Sequence, residues 1–288
     1  MSKVTQAQAE LEDTGSLMEL IEILKNIASN HFYKMSKEHS EKTEFLKVFR
    51  DFFNIACSAG GGSFLSKSRP DKVEILAFTS EGGFSADLTA KVIRMAIEEA
   101  ERHDVHEFIV IGKKGAVKLN PMTDRQVTLF KDVEITGFYN MAVQIKDYIF
   151  DKLKNNKIGG VYAVYPKART ISLVKQSAEK IFPPEDLLSR KKEIDKEQIL
   201  EQVIFESDAD KIIAKLSGIW LSFRILQILE DLSLAGYAAQ AQQLDAALET
   251  LKEMKKVKIR KYRKARKSEI DKALREVFTA VLMAPEEK

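Results

Sequence analysis

The sequence has few of the residues that interrupt helices or cross-link chains. Its 288 residues include one cysteine, Cys57, 6 prolines and 13 glycines. A single cysteine excludes an internal disulfide and a cysteine-based zinc site. No run approaches the ~18 apolar residues of a membrane span, and the N-terminus lacks the apolar stretch of a signal peptide. The composition predicts a protein that is neither secreted nor integral to a membrane.

An excess of either charge is also missing. Lysine and arginine number 46 and the acidic residues 43, a net charge of +3, although 31% of residues are charged. A balance this close to neutral does not by itself favour a nucleic-acid partner. The hydrophobic share of 44% allows a sizeable core.

The stretch Glu185–Ala284 has no proline and two glycines, Gly218 and Gly236. Its apolar residues recur in alternating steps of four and three, which is the seam period of a coiled coil. A helix over 208–283 would extend roughly 110 Å, well beyond a compact domain. The seam residues are Ile212, Leu216, Ile219, Phe223, Leu226, Tyr237, Ala241, Leu244, Leu248 and Leu251.

A second long helix is predicted from Leu17 to Cys57, ending at the glycine-rich turn Ala59–Ser63. Both helices expose an apolar stripe, and two such stripes are buried most simply against each other. We therefore expect an antiparallel pair. The N-terminal stripe consists of Leu17, Ile21, Leu24, Ala28, Met35, Phe45, Phe49, Phe52, Phe53 and Ala56.

The middle of the chain, Arg69 to Pro184, alternates strand-like and helix-like segments, which indicates a small α/β sheet domain. The predicted fold is therefore α/β: an antiparallel coiled coil of long N- and C-terminal helices with an inserted small α/β (Rossmann-like) domain. The predicted domains are 1–62, 63–184, a charged connector 185–206, and 207–288. Predicted strands are 73–79, 107–112, 127–133, 160–165 and 170–175, and predicted helices are 85–102 and 139–155.

Candidate sites for chemistry are weak. Gly82-Gly83 lacks the spacing of a phosphate loop, so a tight turn explains it better. Gly112 to Gly115 is better explained as a hairpin turn. His103 and His106 have no cysteine or carboxylate at a metal-like spacing and are interpreted as exposed helix-end residues. We therefore predict no catalytic residue, no cofactor and no metal site.

A basic segment, residues 252–267, carries ten lysines and arginines against one acid, Glu253. A helix that is positive on all sides requires anionic surroundings. Nucleic acid, acidic lipid and a collar of acidic protein loops are the alternatives. Tyr262 alone offers base stacking, and Val257 with Ile259 is too small an apolar face for a membrane.

Several segments, in order, resemble the γ subunit of F-type ATP synthases. YRKARKSEI (262–270) is similar to that family's Y-N-x-x-R-Q-x-x-I motif, and VYAVYPK (161–167) is similar to its V-Y-x-V-Y-N-K strand. TSEGGFSADL (79–88) resembles a shortened form of its glycine turn, and LKNIASNHFYKM (24–35) resembles its first helix. The family's asparagine and glutamine in the C-terminal motif are Arg263 and Lys267 here.

The resemblance implies a central, non-catalytic rotor, present in one copy per complex. It would couple rotation driven by proton flow to ATP synthesis or hydrolysis in a ring of α and β subunits. The implied partners are those subunits, an ε-type subunit and the membrane c-ring, without nucleic acid. The implied location is peripheral, on the cytoplasmic face of the cell inner membrane.

The basic segment suits such a rotor because Coulomb attraction falls slowly with distance and depends little on angle. Two other functions remain open: a coiled-coil scaffold or tether with an α/β docking domain, and a nucleic-acid-binding coiled coil. Simple solvation of the lysines is the competing interpretation of the basic segment. The residues expected to contact the ring are Lys255, Lys256, Lys258, Arg260, Arg263 and Arg266.

Overall fold

The computed structural model of the chain describes residues 2–41, 49, 52–56, 71–131, 135–184 and 207–282. These fall into two compact units. The helix-pair unit comprises Met1–Ala28 with Ala241–Lys288, and the sheet unit comprises Ser29–Gln240. Each unit contains part of both long helices, α1 (Lys3–Glu41) and α5 (Ala209–Leu282).

The sheet unit is built on five strands in the order β3-β2-β1-β4-β5. The first four strands in that order are parallel neighbours, and β5 pairs antiparallel with β4. The strands are β1 (Val73–Phe78), β2 (Val105–Ile111), β3 (Val127–Phe130), β4 (Gly160–Thr170) and β5 (Leu173–Phe182). The connecting helices are α2 (Ala86–Arg102), α3 (Lys113–Leu119) and α4 (Phe138–Lys154).

Both faces of this sheet are covered, as expected for parallel strands joined by helical crossovers. One face packs on α2 through Val92, Ile93 and Ala96. The other packs on α4 and on the sheet-unit part of α5. That α5 surface consists of the buried residues Leu221, Ile225, Ile228, Leu229 and Leu232. In this unit α5 is a core helix.

The same part of α5 also contacts the end of α1 that lies in the sheet unit. His31 stacks on Tyr237 with ring centroids 5.1 Å apart, and Phe32 packs on Leu234 and Ala238. Because α5 must face both the sheet and α1 here, a single seam of period 3.5 cannot describe it. The seam predicted for this part is therefore partly wrong: Ile219 is 44% exposed.

In the helix-pair unit, α1 and α5 run antiparallel. Lys25 pairs with Asp245, Thr14 receives a hydrogen bond from Lys258, and Glu10 pairs with Lys261, so residue numbers rise along one helix as they fall along the other. The predicted α5 seam is right here, whereas two positions of the predicted N-terminal stripe are wrong, because Leu17 is 45% and Leu24 38% exposed. The buried seam positions of α5 are Ala241, Leu244, Leu248 and Leu251. The predicted antiparallel coiled coil with an inserted α/β domain is confirmed.

Three predicted elements have different bounds, and one of them, β4, continues to Thr170 rather than ending at Tyr165. Helix α1 begins at Lys3 rather than Leu17. The prediction missed this start because the first buried positions, Ala7 and Thr14, are too small or too polar to form an apolar stripe. The last strand is Leu173–Phe182 rather than 170–175, because its half-exposed polar residues hide the strand pattern. The end of the first helix at Cys57, the turn at Ala59–Ser63 and the connector 185–206 lie outside the described residues.

The segment Gly112 to Gly115 was predicted to be a hairpin turn, and this is wrong. Gly112 instead precedes α3, with a φ of 100° that favours glycine. Its amide hydrogen bonds to the carbonyl of Phe130 at 3.0 Å. A Cβ at Gly112 would also collide with the backbone oxygen of Thr79. The glycine therefore permits the close approach of two strand ends.

One 18-residue window within Ala209–Thr279 is apolar enough for a membrane span by composition, contrary to the sequence-based expectation. Half of that window is buried inside the structure. The apolar content is explained by the role of α5 as a core helix of the sheet unit.

Candidate interaction site: the basic segment of the helix pair

The basic segment of α5, residues 252–267, lies in the helix-pair unit and contacts α1 along one side only. On the side that faces α1, the coiled-coil seam continues, but its residues are only half-buried. All other residues from Arg260 onward are exposed. The seam positions in the basic segment are Lys255, Lys258, Tyr262 and Ala265. The segment is therefore an exposed cationic surface with a narrow docking side.

Lys258 points into the seam rather than outward. Its Nζ donates hydrogen bonds to the carbonyl of Glu10 at 3.1 Å and to Oγ1 of Thr14 at 2.7 Å. Thr14 is buried and donates its own hydroxyl proton to the Glu10 carbonyl at 2.8 Å. Lys258 therefore joins the two helices, and Lys255 is also half-buried on this side. These two of the six predicted contact residues are placed toward α1.

Two other lysines are engaged at the surface. Lys256 pairs with Glu253 one helical turn away at 2.7 Å, and Lys261 reaches Glu10 of α1 at 3.2 Å. The hydrogen bond from Lys256 lowers the pKa of the Glu253 carboxyl. Both pairs are exposed, so each contributes little to stability.

Arg260, Arg263 and Arg266 are exposed and form no ion pair with any described residue. Lys264 and Lys267 lie on the same exposed surface. Unpaired guanidinium groups are well suited to carboxylates because their fork of donors can bind both oxygens. This arrangement can attract an acidic protein surface without fixing one orientation.

A crevice opens where α1 begins. It lies between the two helices and is lined by Lys3, Gln6, Ala7, Glu10, Lys261, Lys264, Ala265 and Ser268. Beyond it, residues 266–279 of α5 are exposed throughout. The small side chains Ala7 and Ala265 leave this part of the seam unfilled.

A family model described as ATP synthase matches residues 3–281. The chain belongs to the ATP synthase γ-subunit family. Its role is that of the γ rotor subunit. It is therefore a subunit of an ATP synthase complex, an assembly bound to a membrane to which this subunit is peripheral.

Solved structures share the fold at low sequence identity. A chain of the Euglena gracilis mitochondrial ATP synthase in rotational state 3 is 12% identical, with a TM-score of 0.59, over 99% of this chain and 98% of that one. A chain of the rotor of the same complex in rotational state 1 is 14% identical, with a TM-score of 0.57, over 93% and 98%. A central-stalk chain of the Tetrahymena thermophila enzyme is 11% identical, with a TM-score of 0.56, over 79% and 99%. No curated protein is a significant match.

Sequence reasoning missed a buried charge cluster in the sheet unit. Glu74 and Glu107, on neighbouring strands, both contact Nζ of Lys152 from α4, and the distance to Glu74 is 3.0 Å. His106 is half-buried in β2, with Nδ1 3.2 Å from Glu74, so its interpretation as an exposed helix-end residue is wrong. The signal was present in the sequence, because a glutamate within a buried strand needs a partner.

Burial is the main cause of the unusual ionisation of Glu74. It raises the pKa of the carboxyl to about 7, although Lys152 opposes the shift. Burial alone would lower the pKa of Lys152, but hydrogen bonds to Glu107 and Glu74 raise it. Glu74, His106 and Glu107 lie close enough to share a metal ion. The lysine ammonium already supplies the positive charge at that position, so the geometry favours an ion-pair cluster.

Proposed function

We propose that this chain is the non-catalytic central rotor of an F-type ATP synthase. It couples rotation driven by transmembrane proton flow to ATP synthesis or hydrolysis in a surrounding ring of α and β subunits. Family membership over residues 3–281 supports the rotor role. The observation that carries the proposed contact with the ring is the exposed basic surface of α5 in the helix-pair unit.

The internal pairing of α1 with α5 favours a rotor over a scaffold or tether. A tether would use its apolar seam to join separate chains, whereas Leu244, Leu248 and Leu251 are buried here within one chain. The polar contacts of Lys258 with α1 use the same intrachain seam. A seam satisfied in this way leaves the outer surface of the pair for contacts with partners.

The basic surface suits a rotating contact for an electrostatic reason. A deep, complementary pocket would hold a rotor at one angle, whereas charge attraction across a few ångströms changes gradually as the rotor turns. Lys256, Arg260, Arg263 and Arg266 are the residues we propose for contact with acidic loops of the α and β subunits. Lys258 acts by holding α5 to α1, and Lys255 lies half-buried on the same side.

The remaining partners follow from the rotor role. We propose that the inserted domain and the connector 185–206 face an ε-type subunit and the membrane c-ring. In that arrangement the chain is present in one copy, peripheral to the membrane, on the cytoplasmic side of a cell inner membrane. Solved relatives include a central stalk with its c-ring, which supports this assignment.

Charge reversal tests the proposed contact. Lys256, Arg260, Arg263 and Arg266 are changed together to glutamate, and ATP hydrolysis and assembly are measured in the reconstituted complex. We expect reduced assembly or turnover, and the defect should lessen at high salt, where exposed charges are screened.

A matched control reverses four exposed lysines of the sheet unit. The control residues are Lys91, Lys118, Lys154 and Lys157. It produces the same change in net charge on the inserted domain, which is proposed to face the ε-type subunit and the c-ring rather than the α and β subunits. Assembly with the α and β subunits and ATP hydrolysis are therefore compared. Equal assembly and turnover in the two quadruple variants and the unchanged complex would show that the basic residues are merely solvated.

A further inference from the structure

A second polar cluster connects α5 to the β4–β5 hairpin inside the sheet unit. Arg224 of α5 donates from Nε to Oε1 of Glu179 at 2.7 Å, and its Nη2 contacts the same oxygen. Nη2 also donates to the hydroxyl of Tyr165 at 3.2 Å. Tyr165 in turn donates to Oε2 of Glu179 at 3.0 Å. Both carboxylate oxygens are thereby bound by groups from different elements.

The cluster is partly buried, and its polar groups are hydrogen-bonded to one another. Tyr165 is fully buried, and Gln227, which accepts a hydrogen bond from Arg224 Nη1 at 2.9 Å, is nearly so. Burial is the main cause of the raised pKa of Tyr165, so its phenol stays protonated and can donate. The side chains of Arg224 and Glu179 are 19% and 28% exposed.

Stability alone does not account for this cluster. Replacing a buried ion pair with apolar residues of similar volume is often neutral or stabilising, because the charges must first lose their hydration. The other contacts of α5 with the sheet are apolar, through residues such as Leu221, Ile225 and Leu229. Apolar contacts are non-directional, so they restrain the rotation of a helix about its own axis through packing alone.

Charge-assisted hydrogen bonds from an arginine fork are directional. Arg224 makes its bonds to two residues on adjacent antiparallel strands, since Tyr165 is paired with Ser177 and Glu179 with Ala163 in the β4–β5 ladder. A turn of α5 about its axis would carry the guanidinium off both partners at once. The cluster therefore adds a directional restraint on rotation to the packing restraint of the apolar contacts.

The hairpin also contacts α5 further along the helix. Ala168 and Val174, near the hairpin tip, pack with Leu234 and Ala238. Leu234 lies ten residues beyond Arg224, which corresponds to roughly 15 Å along a helix. Two contacts separated in this way resist tilting, and the polar one adds resistance to rotation.

We infer that Arg224, held by Glu179 and Tyr165, is a positioning residue that locks the rotational setting of α5 on the sheet domain so that torque passes between them. The inference rests on the rotor function proposed above. In a rotor, a loosened lock lets the sheet domain lag behind the helix. Hydrolysis then continues while less of the rotation reaches the membrane ring.

The test replaces the whole cluster by apolar residues in the assembled complex: Arg224→Met, Glu179→Leu and Tyr165→Phe. Three quantities are measured: the thermal midpoint of the complex, the ratio of ATP-driven ion pumping to ATP hydrolysis, and the angular spread of a probe on the sheet domain during pauses in rotation. The probe is attached at Lys118→Cys, an exposed position, in a chain in which Cys57 is replaced by alanine. The expected result is an unchanged or higher midpoint, a wider angular spread, and a pumping ratio below that of the unsubstituted complex.

A matched control removes the exposed ion pair between Lys91 and Asp87 of α2, with no expected change in any of the three quantities. A second variant, Arg224→Lys, keeps the charge but loses the fork, so it should assemble and give an intermediate pumping ratio. Should the triple variant not assemble, the angular spread of Arg224→Lys decides: a normal spread overturns the inference.

Two outcomes for the triple variant also overturn it: an unchanged pumping ratio and spread, or a loss of pumping that accompanies a lower thermal midpoint. Failure of the proposed function itself is distinguishable, because the unsubstituted complex would then show no rotation of the probe.

Discussion

Helix α5 serves two different purposes in the two units. Within the sheet unit its residues 227–232 are all buried, enclosed by the sheet and by α1. Within the helix-pair unit only one side is covered, and even that side includes Lys255 and Lys258. The part of α5 in the sheet unit is therefore held by apolar burial on several sides, whereas the part in the helix-pair unit is covered on one side only.

The charged side chains of the two units also differ in their exposure to solvent. In the sheet unit Glu74, Glu107 and Lys152 are buried and balanced against each other. In the helix-pair unit the ion pairs Lys25–Asp245 and Lys256–Glu253 are exposed. The buried charges determine local structure, whereas the exposed charges are accessible to partner proteins and are screened by salt.

The largest loss of stability is expected when the cation of the buried cluster, Lys152, is removed. Lys152→Met leaves two carboxyls buried without their partner, and we expect a loss of about 3–5 kcal/mol at pH 8. Urea unfolding followed by fluorescence of Trp220, the single tryptophan, reports on the sheet unit. A loss no greater than that of Lys256→Met, a lysine of an exposed pair, would remove the contrast between the two kinds of charge.

The next effect concerns the apolar core. Leu229→Ala should cost about 2–5 kcal/mol, because the fully buried side chain leaves a cavity. Leu20→Ala in the helix-pair unit removes the same atoms from a position that is 53% exposed, and it should change stability by less than about 0.5 kcal/mol. Both are measured by urea unfolding. Similar losses in the two variants would contradict the different anchoring of the two regions.

Glu74 makes the stability of the sheet unit depend on pH. Its folded pKa of about 7 exceeds the ordinary value of 4.5, so the folded state binds the proton more tightly. Its contribution is fully present below pH 4.5 and is lost as the pH rises through about 7, with an upper limit of about 3 kcal/mol. Comparison of Trp220 unfolding from pH 4.5 to 8 with that of Glu74→Gln isolates this slope, and identical slopes would refute the assignment.

A smaller effect of opposite sign is expected in the helix pair. Lys258 occupies a seam position where an apolar side chain would pack better, so Lys258→Leu should stabilise the pair by about 1 kcal/mol. Circular dichroism during thermal unfolding measures it, with the exposed Lys264→Leu as control. A destabilised pair would mean that the hydrogen bonds of Lys258 to Glu10 and Thr14 outweigh the packing gain.

The smallest effect is expected at the exposed pair Lys25–Asp245. Lys25 lowers the pKa of the Asp245 carboxyl, but both side chains are open to solvent. Asp245→Asn should leave the thermal midpoint unchanged at low and at high salt, since exposed pairs contribute little. A clear drop at low salt would show that surface charge holds the helices together.

The sequence was sufficient where one physical signal dominated. The seam at Leu244, Leu248 and Leu251 was predictable because those positions face only one other helix. The alternation of strands and helices between Val73 and Lys154 was predictable because parallel strands give continuous apolar runs. The edge strand β5 was only partly predicted, because it is half-exposed and its pattern is mixed.

Contacts between distant residues were not predictable in the same way. Glu74 and Lys152 are 78 positions apart, and Arg224 and Glu179 are 45 apart. Their meeting depends on the strand order and on where α5 packs, which no local pattern encodes. The inward placement of Lys258 likewise follows from the register of α1 against α5 rather than from the basic composition of the segment.

The most direct test of the rotor account follows a probe at Lys118→Cys by single-molecule microscopy, with the nucleotide-binding ring of the assembled complex immobilised. The account predicts rotation in one direction, in steps, that depends on ATP and involves one copy of this chain per complex. A probe that stays fixed while ATP is hydrolysed, or two copies joined through their helices, would contradict it.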